Sequence, residues 1–443
     1  MSNQYLEIVP SNITSDGKLS FRNGQPVVQF IIGEQQRFLL GQSLRLVGNF
    51  SILNDAGALG SANAALNMDG RTSLYSTIDQ LVIKSQRTNQ TIEHIRNYNR
   101  FMASFLGVTS DLGDGLSHKN QDDLQVLNSK AIKSAVVDNA VNLSTTGSST
   151  FSLSLPCGLF NGTKNIPLAS EWGLGGLLIE VHLAPDSNVL YSDDGGATAI
   201  STAFYEYQNM SLSCEVQSPA PDELSSLQSG GAKGNTFEYN SISSYYTTVN
   251  SANAIINFSL GLSKVLSVFC NFINAAAINN RNFNGMVTGY NRNQGDTGEV
   301  AYVKSLVFTR GGERMPLEYN VDTVQQVDST SRNPDGQIIR NYMNAIHSFA
   351  KNRRNLLKPE NMVLPSAGSS IVTSDQKVID GGINYGIGVA FDSISNQGVD
   401  FSSTNFGINM DMDLVTDNPQ AVYMFVHHKN TVVFNQSGIQ VIN

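Results

Sequence analysis

Apolar and polar residues alternate along most of this chain with the two-residue period of β-strands. In Leu177-Leu178-Ile179-Glu180-Val181-His182-Leu183 every odd position is apolar, and Glu180 and His182 fall on the opposite, wet face. Leu212, Cys214 and Val216 share a side in the same manner, which makes Cys214 a core residue. The pattern predicts strands over Val27–Ile32, Ser43–Leu53, Ile78–Lys84, Phe151–Leu155, Leu177–Leu183 and Tyr205–Val216. Pro219-Ala220-Pro221 then interrupts it, and Ser225 to Gly234 is poor in residues that pack. A boundary is expected here, between one unit at 1–220 and another at 221–443. Strands resume at Thr236–Asn240, Tyr245–Val249, Ile255–Leu260, Val265–Ile273 and Val303–Phe308. They continue at Ile383–Phe391, Phe406–Leu414, Ala421–His427 and Thr431–Asn435.

Helical periodicity is confined to one place in each half. Ile95-Arg96-Asn97-Tyr98 with Ser104-Phe105 recurs, at the same spacing, as Ile339-Arg340-Asn341-Tyr342 with Ser348-Phe349. Each copy opens a helical pattern downstream of a strand carrying a Leu-Val pair, Leu81-Val82 or Leu306-Val307, so the chain reads as one β-unit built twice. In the second copy Ile338, Ile339, Tyr342, Ile346 and Phe349 form an apolar stripe that would cover an end or edge of its own sandwich, and Asn333 to Gly336 supplies turn and capping residues before it. Strands and helices do not alternate as a parallel sheet requires. The expected fold is all-β: two tandem antiparallel jelly-roll sandwiches, a double jelly roll, with one short helix inserted in each. Long Gly-, Asn- and Ser-rich connections at Thr109–Gly147, Pro185–Ser201 and Asn279–Gly298 are of a length usually tied to binding or assembly.

Composition narrows the function. The 443 residues can fill two cores, yet only 15% are charged, where about a quarter is usual, so neutral polar residues must cover much of the surface. A net charge of −9 argues against gripping phosphate backbones. Lys351, Arg353, Arg354 and Lys358 are a local exception, suited to a helix C-terminus or to contact with nucleic acid or an acidic partner. Cys157, Cys214 and Cys270 are odd in number and far apart, which fits a reducing compartment. No apolar run approaches a membrane span, and the first residues lack the blocks of a secretory signal.

Candidate chemistry is sparse. His427 and His428 are adjacent on a predicted strand and should face opposite ways, which is poor geometry for one metal. Asp411 and Asp413 share a face and suit either solvent or a divalent cation. Glycines at 173–176, 195–196 and 311–312 lack the Gly-Lys-Ser/Thr ending of a phosphate loop and read as turns. No Gly-x-Ser-x-Gly elbow occurs, and Cys157 has no neighbouring His in sequence. No catalytic, cofactor-binding or metal residue is assigned, and no cofactor is expected.

Ile92-Glu93-His94-Ile95-Arg96-Asn97-Tyr98-Asn99-Arg100, Leu155-Pro156-Cys157-Gly158-Leu159-Phe160 and Leu174 through Pro185 resemble double jelly-roll major capsid proteins of icosahedral double-stranded DNA viruses, in the style of Polinton-like viruses and virophages. These stretches cover under a tenth of the chain directly, and the order, spacing and duplicated plan agree with that family. The chain departs from it in ending soon after its last strands, with no C-terminal extension or recognisable cleavage region. The resemblance implies a structural, non-enzymatic protein that forms homotrimeric pseudo-hexagonal capsomers and tiles an icosahedral shell. Its partners would be itself, through trimers and trimer-trimer contacts, together with penton and minor capsid proteins. It implies no specific nucleic-acid site, leaves membrane contact open, and places the protein in a virion assembled inside a host cell.

Two other classes use similar folds. A carbohydrate-binding or adhesive β-sandwich would share the long loops and polar composition, although the sole tryptophan is Trp172. A two-jelly-roll glycan hydrolase would need clustered carboxylates between its domains.

Overall fold

The computed structural model describes residues 3–53, 66–109, 149–192, 202–275, 278–281, 286, 303–316, 336–349, 386–391, 397–412, 420–435 and 438–443, apart from 14–15, 23, 25, 69–71, 163, 232–234 and 252 within them. Strands in the first half are β1 (Asn3–Ile8), β2 (Lys18–Leu19), β3 (Val27–Ile32), β4 (Phe38–Leu39), β5 (Arg45–Leu53), β6 (Leu66–Met68) and β7 (Ile78–Ser85). They are followed by β8 (Thr91–Arg96), β9 (Ser149–Ser154), β10 (Ile166–Pro167), β11 (Leu177–Leu183), β12 (Leu190–Ser192) and β13 (Phe204–Gln217). The second half contributes β14 (Asn235–Val249), β15 (Asn253–Phe258), β16 (Val265–Asn274), β17 (Val303–Arg310) and β18 (Glu313–Arg314). It ends with β19 (Ile387–Ala390), β20 (Phe406–Met412), β21 (Gln420–Asn435) and β22 (Gly438–Ile442). Helices are α1 (Tyr98–Thr109), α2 (Gly158–Asn161), α3 (Asp186–Val189), α4 (Pro221–Gly231) and α5 (Gly336–Phe349).

Both halves have the same topology. The first and last strands of each pair antiparallel, β1 with β13 and β14 with β21. One sheet then runs β1-β13-β5-β9 in the first half and β14-β21-β16-β19 in the second. The facing sheet runs β3-β11-β7-β8 and β15-β20-β17-β18. This is the jelly-roll order, given twice. Short strands β2, β4 and β10 widen the first half's larger sheet, β22 widens the second's, and β6 pairs with β12 in a separate ribbon.

Alternation places the core. Val28, Phe30, Ile32, Ile179, Val181, Leu81 and Ile83 are almost wholly buried on the inner face of one sheet and meet Leu46, Phe50, Leu153 and Leu212 from the other. Leu81 and Leu306, the paired leucines of the two units, are both fully buried. The apolar cluster does not stop at the end of either half: it is continuous from Leu19 through α1 and α5 to Phe434.

Several elements differ from the sequence expectation. Ser43 closes a 3-10 turn, Gly41–Ser43, before β5 begins. The runs Thr236–Asn240 and Tyr245–Val249 are one strand, as are Ala421–His427 and Thr431–Asn435, because polar pairs such as Ser243-Ser244 and Lys429-Asn430 still pair across the ladder. Most of the stretch expected to be an unpacked linker is α4, with Asp222 and Glu223 in its first turn and the Ala220 N–H donating to Glu223 Oε2 at 3.4 Å. The repeated six residues are also not equivalent throughout: Ile95-Arg96 ends β8, whereas Ile339-Arg340 lies within α5. Asn97, at φ 53°, makes the break that starts α1 only at Tyr98.

Candidate functional site

The seam between the two halves holds the most elaborate chemistry among the described residues. At its centre is Glu93 on β8, 2% exposed. One carboxylate oxygen accepts the backbone N–H groups of Gly158 at 2.9 Å and Ile242 at 2.8 Å, and the Ser241 hydroxyl at 3.3 Å. The other accepts the N–H of Leu159 at 2.9 Å. Gly158 and Leu159 begin α2 in the first half, while Ser241 and Ile242 lie on β14 in the second. Burial pushes the carboxyl above its ordinary value, and the N–H donors of Leu159, Ile242 and Gly158 pull it back. The Cys157 thiol bonds the same carboxyl, so donors from both halves converge on one side chain that bridges the two sandwiches.

Around Glu93 the halves fit closely. A Cβ on Gly158 would stand 2.2 Å from the Asn240 carbonyl oxygen and 2.4 Å from Ser241 Cα, so only glycine permits this approach. The Tyr239 hydroxyl, on β14, donates to the Ile92 carbonyl of β8 at 2.5 Å, and the Asn430 amide donates to the same hydroxyl at 3.4 Å. Lys164 Nζ donates to the Glu238 carbonyl at 3.0 Å, and the Asn161 amide to the Phe349 carbonyl at 2.9 Å.

Beside this polar patch lies an aromatic one. Phe101 and Phe105 of α1 meet Phe349 of α5 with ring centroids 5.6 and 5.7 Å apart, and Phe101 also meets Phe425 at 5.5 Å and Phe269 at 6.1 Å. The helix predicted to cover its own sandwich therefore also forms the wall that the other half leans on. Its stripe is confirmed at Ile338, Tyr342, Ile346 and Phe349, all buried. Asn271 of β16 donates to the Arg100 carbonyl at 3.1 Å and to Ser104 Oγ at 2.5 Å, pinning α1 to the second half. Sequence reasoning assigned no role to Glu93, Gly158, Tyr239 or Asn271, since their partners are mostly backbone atoms far away in sequence.

The residues singled out for chemistry are placed elsewhere or prove structural. His427 and His428 do face apart: His427 meets Phe349, with centroids 5.4 Å apart, while His428 Nε2 bonds Ser243 Oγ at 2.8 Å. Burial pushes His428 down to about 4. Cys157, Cys214 and Cys270 are free and buried, and burial raises all three thiols, Cys214 to about 11. Cys157 caps α2, its sulfur accepting the Phe160 N–H at 3.4 Å. Glycines 175 and 176 (φ 66° and 80°) and 311 and 312 (59° and 90°) occupy turns, as expected. Glu180, expected on a wet face, is only 8% exposed because Lys84 Nζ, at 2.9 Å, and Gln29 Nε2, at 3.1 Å, close over it. Asp413, Lys351, Arg353, Arg354, Lys358, residues 195–196 and most of the long connections lie outside the described residues. Among the described residues no cluster of His, Cys, Asp or Glu could hold a metal ion, and no helix is long and apolar enough to cross a membrane.

No protein-family model matches the sequence, and a search of curated proteins finds no match. Solved structures do match in fold, along nearly the whole chain. The Faustovirus major capsid protein superposes with a TM-score of 0.57 at 9% identity, covering 98% of this chain and 90% of that one. A chain of the Sputnik virophage structure gives 0.53 at 10% identity, covering 100% and 88%. A chain of the PBCV-1 virus capsid gives 0.53 at 11% identity, covering 100% and 96%. At such identities the likeness establishes the fold, a double jelly roll.

Proposed function

We propose that this chain is the structural major capsid protein of an icosahedral virus, forming homotrimeric pseudo-hexagonal capsomers that tile a shell. The observation that carries this reading is the pair of topologically identical jelly rolls, locked by Glu93 and the α1–α5 aromatic contact into a two-lobed block. Fold likeness over nearly the full length of viral capsid chains supports it. A division at 1–220 and 221–443 belongs to the same proposal, each part supplying one lobe. A block of this kind works by surface complementarity repeated across many copies, so modest contacts per interface suffice. The role is structural and non-catalytic, with penton and minor capsid proteins as further partners in a virion assembled in the host cell. The acidic balance of −9 leaves genome contact to other components.

The decisive experiment is the solution mass of the purified chain by analytical ultracentrifugation, with negative-stain images of the same sample. A mass three times that of the chain, with three-lobed hexagonal outlines, is the expected result. A monomer over a broad concentration range would overturn the proposal.

A further inference from the structure

The polar side of the seam continues into the second half behind β14. That strand ends its sheet, and β8 and α2 of the first half stand against it. His428 Nε2, on the neighbouring β21, bonds Ser243 Oγ at 2.8 Å, and Asn430 lies two residues further along on the same face. The Asn430 amide donates to the Tyr239 hydroxyl at 3.4 Å, and that hydroxyl donates to the Ile92 carbonyl of β8 at 2.5 Å. Ser241, directly opposite His428 in the register of the two strands, donates to Glu93. His428 therefore sits one strand in from the contact between the halves, 1% exposed, with Tyr239, Ser241 and Asn430 buried around it.

This row has no place for a positive charge. The ionisable groups on the elements around His428 are Glu238 and the tyrosines of β14, Glu93, His94 and Arg96 of β8, Cys157 before α2, Lys264 and Cys270 at β16, and His427 and Lys429 beside it on β21, while β15 carries none. Both carboxylates are engaged: Glu93 by the donors of Gly158, Leu159, Ile242, Ser241 and Cys157, and Glu238 by Lys264 at 3.3 Å. His94 follows Glu93 in its strand, faces the other way and bonds Gln80 at 2.9 Å. A proton on His428 would be a buried charge with no carboxylate opposite. Burial accordingly pushes the ring down from its ordinary 6.5 to about 4, and Asn430 and the Lys429 main chain offset this only in part.

We propose that the polar side of the seam is an acid-operated latch: proton uptake by His428 parts β14 from β8 and α2, while both sandwiches and the aromatic contact of α1 with α5 stay in place. Opening wets the row and returns His428 to its ordinary affinity for a proton, so acid favours the open form over the closed one. With His428 at about 4 when closed and 6.5 when open, the open population rises by up to about twentyfold between pH 7 and 5. Glu93 works against this rise, because burial lets the closed form hold its proton more firmly. Tyr239 and Cys157, both raised by burial, keep their protons across the interval. The latch acts within one chain and does not depend on how copies assemble.

Cys157 lies behind the latch and reports its opening, whereas Cys214 and Cys270 are buried within the first and second sandwich. The full chain is treated with a dipyridyl disulfide between pH 7 and 5, and labelling at each cysteine is read by peptide mass spectrometry relative to glutathione at the same pH. Cys157 should label faster as the pH falls, by up to about twentyfold, while Cys214 and Cys270 keep their rates. In His428→Gln the acceleration should vanish. In Tyr239→Phe, which cuts the row before Ile92, Cys157 should label faster at every pH with the slope of the parent retained, and this variant carries the test if glutamine is not tolerated in place of His428. A flat Cys157 profile in the parent, a slope that survives His428→Gln, a Tyr239→Phe variant that labels like the parent, or labelling of all three cysteines in step, as global unfolding gives, would each overturn the latch.

Discussion

Phe105 and Phe349, the last residues of the two copies of one repeated pattern, lie against each other with ring centroids 5.7 Å apart and planes at 72°. Equivalent positions in two sandwiches thus become a single contact between them. Replacing Phe349 by Ala should destabilise the protein by roughly 3–5 kcal/mol, the usual range for deleting a buried aromatic ring. Chemical denaturation should also show one transition for both halves, before and after the change, because the core is shared. Two separated transitions in the unmodified chain would contradict that continuity.

Glu93→Ala should cost roughly 3–5 kcal/mol, since it leaves the N–H groups of Gly158, Leu159 and Ile242 buried without an acceptor. Thermal unfolding with matched controls at exposed glutamates would measure it. A midpoint within a degree of the parent would mean that water replaces the carboxylate.

Gly158→Ala tests the same seam by steric means. The added Cβ falls within 2.2 Å of a backbone oxygen, so β14 or α2 must move. A loss of roughly 1–3 kcal/mol is expected, together with faster amide exchange at Ile242. Unchanged exchange at Ile242 would show that the strain is relieved elsewhere.

Acid should weaken the fold through His428. Its native value lies below its ordinary 6.5, at about 4, so the unfolded chain binds the proton more readily in that interval. Stability is complete above about pH 6.5 and falls as the pH drops towards 4, by up to about 3 kcal/mol from this group. His94, also lowered, chiefly by burial and then by Arg96, adds to the same slope. Glu93, raised by burial, works in the opposite direction, gaining stability as it takes up a proton. Denaturant titrations between pH 7 and 4 should therefore show a shallower acid loss in His428→Asn than in the parent. Parallel curves would assign the slope to other groups.

Reversing the character of Leu81 or Leu306 by substitution with Asp should abolish folding, because each is fully buried on an inner strand face. Soluble expression with a cooperative melt would show that the strand can slip register.

What could be read in advance follows from how far apart the interacting residues are. Leu177–Leu183 was predicted with its true bounds because alternation is a property of neighbours, and the buried stripe of α5 was visible for the same reason. The left-handed Asn97 hid inside a stretch that looks helical, so β8, which ends just before it, was missed altogether. β1 was missed because its alternation is short, with only Leu6 and Ile8 half-buried against the core and the other four residues exposed. Glu93 could not be recognised at all: its donors are main-chain N–H groups 65, 66 and 149 residues away, which any residue type can supply.

The uninterrupted apolar cluster also bears on how the molecule is made. When the first 220 of its 443 residues have left the ribosome, the aromatic side of α1 has nothing to rest on, because Phe269, Phe349 and Phe425 have yet to be synthesised. At typical translation rates that nascent surface stays wet for on the order of ten to forty seconds. The aromatic side of α1 therefore reaches its final packing only after the second half has been made.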